Sequence, residues 1–200
     1  WLKSETTQIL WAYAPPGSGK SITCSFIIEH LLASNYRCAY FFFKYGQSYK
    51  QSPKDLLLSL AYQTSCQLPE YRRAMVELTK SVSPNRIENS DFAYVWRTLF
   101  SGIFVQIELN GHLYWVIDGV DESNSSRQVI QLLSQTSRFK IPLKILIFSR
   151  PLAHIDFAFQ KAKDVCLVKM PLPENQKDIQ KMVAEEIEYL PCENMDSADD

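Results

Sequence analysis

Residues 14–21 read Ala-Pro-Pro-Gly-Ser-Gly-Lys-Ser, and an apolar stretch, Ile9-Leu-Trp-Ala-Tyr13, precedes them. Gly17 and Gly19 let the backbone curl so that successive N–H groups converge on an anion. Lys20 sets a compact positive charge beside them. Ser21 offers a hydroxyl to a divalent cation, and a helix starting there directs its positive end at the same point. Triphosphate chemistry asks for these types at this spacing, so the stretch reads as a phosphate-binding loop, with Pro16, Gly17, Ser18, Gly19, Lys20, Ser21 and Ile22 as nucleotide contacts. The strict pattern begins with glycine, whereas this chain has Ala14. Its Cβ requires a negative φ where the chain leaves the strand.

Two further groups have matching chemistry. The apolar run His112–Ile117 leads into Asp118-Gly-Val-Asp121-Glu122. Asp118, at the end of a strand, suits Mg²⁺ beside Ser21. Asp121 or Glu122 is placed to orient or deprotonate a water for attack on the γ-phosphate, or else caps the next helix as a solvated turn. The run Leu143–Phe148 leads into Ser149-Arg150-Pro151. Arg150 at that tip is placed to sense or stabilise γ-phosphate charge.

The elements that must position these groups alternate. Strands are expected at about 8–13, 37–44, 112–117, 143–148 and 164–169. Helices are expected at about 20–33, from Pro53 onward, and at about 69–82, 91–107, 126–136 and 174–189. Helix 20–33 is expected to bury Ile22, Phe26, Ile27 and Leu31, and Ser34-Asn35 ends it. The run Arg37–Lys44 suits a strand covered on both faces, its aromatics serving as sheet core rather than as base-stacking groups. Ser52-Pro53 opens the next helix, with Ser52 as N-cap and Asp55 in the first turn. Leu56, Leu57, Leu60 and Ala61 form its buried stripe. Residues 83–89 read as a loop. Phe92, Val95, Trp96, Leu99 and Ile103 share one helical face, and Ile179, Met182, Val183 and Ile187 another. Repeated strand–helix units imply an α/β fold with a parallel sheet and helices on both faces. Ligands of such sheets sit at the carboxyl ends of the strands, where the three polar groups fall.

The 200 residues fit one domain of ordinary size, with residues 194–200 forming an acidic run. The net charge of −1 advertises no basic face for nucleic acid or anionic lipid. Five cysteines form no C-x-x-C pair and read as reduced, buried thiols of a reducing compartment. His30, His112 and His154 are isolated from them, which argues against zinc. No apolar run approaches a membrane span. The chain begins at Trp1 and reads as a segment of a longer protein.

In order, the loop at Ala14–Ser21, the aromatic run Tyr40-Phe-Phe-Phe43, Asp-Gly-Val-Asp-Glu at 118–122 and Ser-Arg-Pro at 149–151 resemble a NACHT domain. The type is the nephrocystin-3-like N-terminal module of large fungal proteins. Gln63 and Asp178-Ile179 also fit. The resemblance covers about residues 8–190. It implies a STAND-group, AAA+-related P-loop NTPase: a three-layer α/β/α sandwich around a five-stranded parallel sheet of order 5-1-4-3-2. Residues 1–190 would form the nucleotide-binding domain, and 191–200 an acidic linker or tail. By position, Lys20 and Ser21 would be the Walker A pair and Asp118 the Walker B magnesium residue. Asp121 and Glu122 would be the acidic catalytic pair, and Arg150 the sensor. ATP or ADP with Mg²⁺ would be the cofactors. Ala14 and Phe148 depart from the family pattern, and neither position supplies a catalytic group.

The expected function is a cytoplasmic regulatory module of a signalling protein. Slow ATP hydrolysis would be coupled to switching and to self-association of the ATP-bound domain. Effector and repeat regions would lie in the same full-length chain. A small-molecule or nucleotide kinase is the alternative, but the region 66–92 offers Arg72, Arg73 and Arg86 without a clear lid. A binding-only scaffold is the third reading. No Asn-Lys-x-Asp element for guanine is present.

Overall fold

Five short runs of apolar and β-branched residues pair side by side in one sheet. They are β1 (Ile9–Tyr13), β2 (Arg37–Phe42), β3 (Leu113–Asp118), β4 (Leu143–Ser149) and β5 (Val165–Lys169). Their order is β2-β3-β4-β1-β5, and every pairing is parallel. Read from the other edge, this is the expected 5-1-4-3-2. The computed structural model describes residues 1–2, 8–136, 139, 141–160 and 165–170. The helix expected at 174–189 and the tail at 191–200 lie outside them.

β3 and β4 are buried along their whole length, as central strands of a parallel sheet should be. β2 differs from expectation. It forms the edge of the sheet, and Tyr40 keeps 37% of its surface exposed. Its aromatics still serve the core: Phe43 is buried, and Phe41 packs on the same cluster.

Two cores lie on the two faces. The smaller joins Ala12, Tyr114, Val116, Leu146 and Phe148 to Cys24, Ile28 and Leu31 of α1 (Lys20–Ala33). The expected stripe is only partly right. Leu31 is buried, but Ile22 and Phe26 are 65% and 66% exposed. Apolar residues surround α1, so their pattern does not select a face, and Cys24, Ile28 and Leu31 at helical spacing meet the sheet instead. Asn35, at φ 56, turns the chain out of the helix.

The larger core holds α2 (Pro53–Gln67), α3 (Pro69–Ser81), α4 (Pro84–Glu88), α5 (Phe92–Trp96) and α6 (Gly102–Phe104), with α7 (Ser126–Leu133) and α8 (Ala153–Gln160) beside them. The Ser52 hydroxyl accepts from the N–H groups of Lys54 and Asp55, as its N-cap role requires. Leu56, Leu57, Leu60 and Ala61 are buried as expected, each leucine contributing about 1.5–3 kcal/mol. Leu68 stands before Pro69 and is extended, which separates α2 from α3. A π turn at Arg97–Ser101 joins α5 to α6. The expected loop at 83–89 contains α4, opened by Pro84. α8, packed through Ile155 and Phe159, was not expected from the sequence. Of the described cysteines, Cys24 and Cys38 are buried but Cys66 and Cys166 are exposed, and all four are free. No helix among the described residues is long and apolar enough to cross a membrane.

Candidate functional site

Strand register builds the site. Tyr13 is level with Ser149, and Asp118 with Phe42, so four strands end along one line. The loop leaves β1 at Ala14, whose N–H donates to the Ser149 carbonyl at 3.3 Å. Ala14 is buried, and Asn35 is the non-glycine residue in the left-handed region among those described, so the expected negative φ of Ala14 holds. Gly17 and Gly19 have φ of 73° and 78°, where a side chain would strain the backbone. Gly19 caps α1, whose first turn therefore faces the loop.

Lys20 Nζ donates to the carbonyls of Ala14 and Pro15 at 2.9 and 2.6 Å and to Ser18 Oγ at 3.3 Å. Burial lowers its pKa, against the opposing pull of Asp121 and Asp118. The Ser21 hydroxyl donates to Asp118 Oδ2 at 2.5 Å across 97 positions of sequence. Asp118 is only 4% exposed. Burial raises its pKa, the Ser21 hydrogen bond opposes that shift, and Glu122 adds to it. Gly119, at φ 70°, turns the chain beside Phe43, whose carbonyl a Cβ at 119 would meet at 3.1 Å.

The two acidic residues of the next turn have different partners. Asp121 Oδ2 accepts from Arg150 Nε at 3.2 Å and Oδ1 from the Arg150 N–H at 3.0 Å. Glu122 Oε2 accepts the Tyr45 N–H at 2.7 Å. The structure thus gathers Lys20, Ser21, Asp118, Asp121, Glu122 and Arg150 at one end of the sheet. Pro16 and Ile22 flank the loop with exposed surfaces.

Two contributors escaped sequence reasoning. Tyr45 acts through its main chain, which leaves no sequence signal. Ser149 receives the Trp11 indole N–H at 2.8 Å and fixes the β4 tip against β1, although the Ser-Arg-Pro run marked the place. Ser21 and Asp118 are hard oxygen donors of the kind Mg²⁺ takes, usually with phosphate oxygens completing its shell. No cluster of three or more His, Cys, Asp or Glu stands ready for a metal among the described residues.

Residues 1–150 match the model of the family described as Nephrocystin 3, N-terminal. The chain belongs to that family. The match spans the loop and the acidic turn and ends at Arg150. No curated protein matches this nephrocystin-3 N-terminal chain. Among solved structures, Orc1 of Aeropyrum pernix in complex with DNA superposes with a TM-score of 0.50 at 11% identity, covering 92% of this chain and 44% of Orc1. Drosophila ORC bound to AT-rich DNA and Cdc6 gives 0.48 at 11% identity, covering 94% and 59%. The chain spans less than half the length of Orc1, and at that identity the likeness is one of fold: a five-stranded parallel α/β sheet with helices on both faces.

Proposed function

We propose that this chain is the Mg²⁺-dependent ATP/ADP-binding module of a larger signalling protein, a slow NTPase that couples hydrolysis to a conformational switch and to self-association. The observation that carries the reading is the Ser21–Asp118 hydrogen bond beside Lys20, which joins two distant segments at the carboxyl ends of β1 and β3. The N–H groups of residues 17–22 would cradle the phosphates. Lys20 exchanges its loop carbonyls for phosphate oxygens. Ser21 and Asp118 would hold Mg²⁺, which would supply neutralising charge to the phosphates. The Asp121–Arg150 pair supports assigning water activation to Glu122, with Asp121 holding Arg150 towards the γ-phosphate.

The free thiols of Cys24, Cys38, Cys66 and Cys166 support a reducing compartment, and the cytoplasm is the setting we assign. Orc1 was solved with DNA, but a net charge of −1 gives this chain no electrostatic footprint for it. Effector and repeat regions of the intact protein would read the switch.

Calorimetric titration of ATP with Mg²⁺ tests the binding. Lys20→Ala should weaken it by at least about tenfold, the worth of one charged hydrogen bond. Equal affinity would sink the reading. Phosphate release should disappear in Glu122→Gln while binding persists. No release from the wild type would leave a binding-only scaffold.

A further inference from the structure

Glu122 is reached by the segment that follows β2. Phe43 extends the β2–β3 pairing by one residue, its N–H donating to the Asp118 carbonyl at 2.9 Å. The chain then closes a loop on itself. The Lys44 N–H donates to the Lys50 carbonyl at 3.0 Å, and the Lys50 N–H to the Gln47 carbonyl at 2.8 Å. This loop grips the acidic turn from two residues, Tyr45 and Gln51. The Tyr45 N–H donates to Glu122 Oε2 at 2.7 Å, and Gln51 Nε2 to the Glu122 carbonyl at 3.4 Å. The Gln51 carbonyl accepts the Asn124 N–H at 3.1 Å and the Ser123 hydroxyl at 3.3 Å.

These bonds divide the labour. Those of Gln51 fix the course of the turn, and that of Tyr45 takes the carboxylate. A glutamate side chain has several torsions, so a fixed backbone does not by itself fix its carboxylate. A short bond from an N–H to an ionised oxygen is stronger than one between neutral groups. It occupies one oxygen and leaves the other to accept a proton. The Tyr45 ring has no share in this, since the residue is 81% exposed.

A local turn presents the donor. The Gln47 N–H closes on the Lys44 carbonyl at 3.3 Å, Tyr45 has a negative φ, and Gly46 has a φ of 77°. Those are the signs of a type II turn, with Tyr45 the first central residue and glycine the second. Proline is favoured at that first position, and it has no N–H. The bond to Glu122 can therefore be deleted with the turn kept.

We propose that Tyr45 is a positioning residue for the water-activating carboxylate: its main-chain N–H holds Glu122 in the orientation from which it takes the proton of the attacking water. This rests on the assignment of water activation to Glu122. In that step water gives its proton to the free carboxylate oxygen, and the water oxygen bonds to the γ-phosphorus. The bond from that phosphorus to the β–γ bridging oxygen breaks, and ADP leaves with the electron pair.

Steady-state phosphate release from ATP with Mg²⁺ by the full chain tests it, with far-UV circular dichroism confirming the fold of each variant. Tyr45→Ala removes the exposed ring and keeps the N–H. Tyr45→Pro removes the N–H as well, and a ring carbon fills the place of the hydrogen. The kcat of Tyr45→Pro should lie at least about tenfold below that of Tyr45→Ala, the worth of one hydrogen bond to a charged group, with the same KM in both. A folded Tyr45→Pro that turns over as fast as Tyr45→Ala, or faster, overturns the proposal and leaves the parent reading intact. So does a KM that rises about tenfold, since the nucleotide site as a whole would then have moved. A wild type that releases no phosphate overturns both together. Should Tyr45→Pro not fold, the α-hydroxy-acid analogue of tyrosine at position 45 replaces the N–H by an ester oxygen, and decides by the same comparison against wild type.

Discussion

Asp118 serves two opposed demands. Its burial raises the pKa, so an ionised carboxylate there costs folding energy that the Ser21 hydrogen bond only partly offsets. The folded pKa lies above the unfolded one. The protonated form therefore favours folding, and this stability is lost as pH rises from about 4, the ordinary carboxylate value, through the raised one. Asp118→Asn should accordingly raise the Tm of the ligand-free protein at neutral pH by about 2–4 °C, or about 1 kcal/mol. The gain should shrink towards pH 4, and the same variant should lose Mg²⁺-dependent nucleotide binding. Thermal melts across pH with a parallel titration check both. Asp121 makes a different case, because its carboxylate is committed to Arg150. Asp121→Ala and Arg150→Ala should each lower hydrolysis by about 100-fold, with the double variant no worse than either alone. Additive losses would separate the two roles.

The π turn at Arg97–Ser101 is tied to α3 by one remote hydroxyl. The Leu99 carbonyl, within that turn, accepts from the Tyr71 hydroxyl of α3 at 2.7 Å. Tyr71 is fully buried, so Tyr71→Phe leaves an acceptor without its partner. It should cost about 1–3 kcal/mol by urea unfolding. Nothing in the local sequence announces that turn. The strands were far more legible. β3 and β4 are continuous apolar runs, and burial on both faces is the condition that permits such runs in a water-soluble sheet. Ser52-Pro53 was legible because a cap is a local bargain between one side chain and two amides. The buried face of α1 was not, since Ile22, Phe26, Ile27 and Leu31 offer as good a stripe as Cys24, Ile28 and Leu31. Which stripe wins depends on the sheet that α1 meets. α4 was hidden by loop-like composition around Pro84. The convergence of the candidate residues at one end of the sheet was legible because their side chains stand at the ends of recognisable strands. The pairing of Asp121 with Arg150 is a tertiary fact.

At the scale of the molecule, two cores of unequal size flank one sheet, and the thiols report on both depth and position. Burial pushes the Cys38 thiol up to about 12 and Cys24 higher still, whereas Cys66 and Cys166 lie on the surface. Brief alkylation of the native protein at pH 8, followed by peptide mapping, should mark Cys66 and Cys166. Cys24 and Cys38 should be spared until denaturant is added. Early labelling of Cys38 would mean that the β2 edge opens readily. The shared finish line of β1, β3 and β4 has a further consequence for how such a chain can change in length. Trp11 meets Ser149, and Ala14 meets the same residue, only because the two strands run level. One residue inserted into β4 would carry Arg150 about 3.3 Å past Asp121 and turn every following side chain to the opposite face. One residue inserted near Ser83, 35 positions before Asp118, would move nothing in the site. Substitutions test this site one side chain at a time, but a single-residue insertion or deletion within a strand would dismantle it whole.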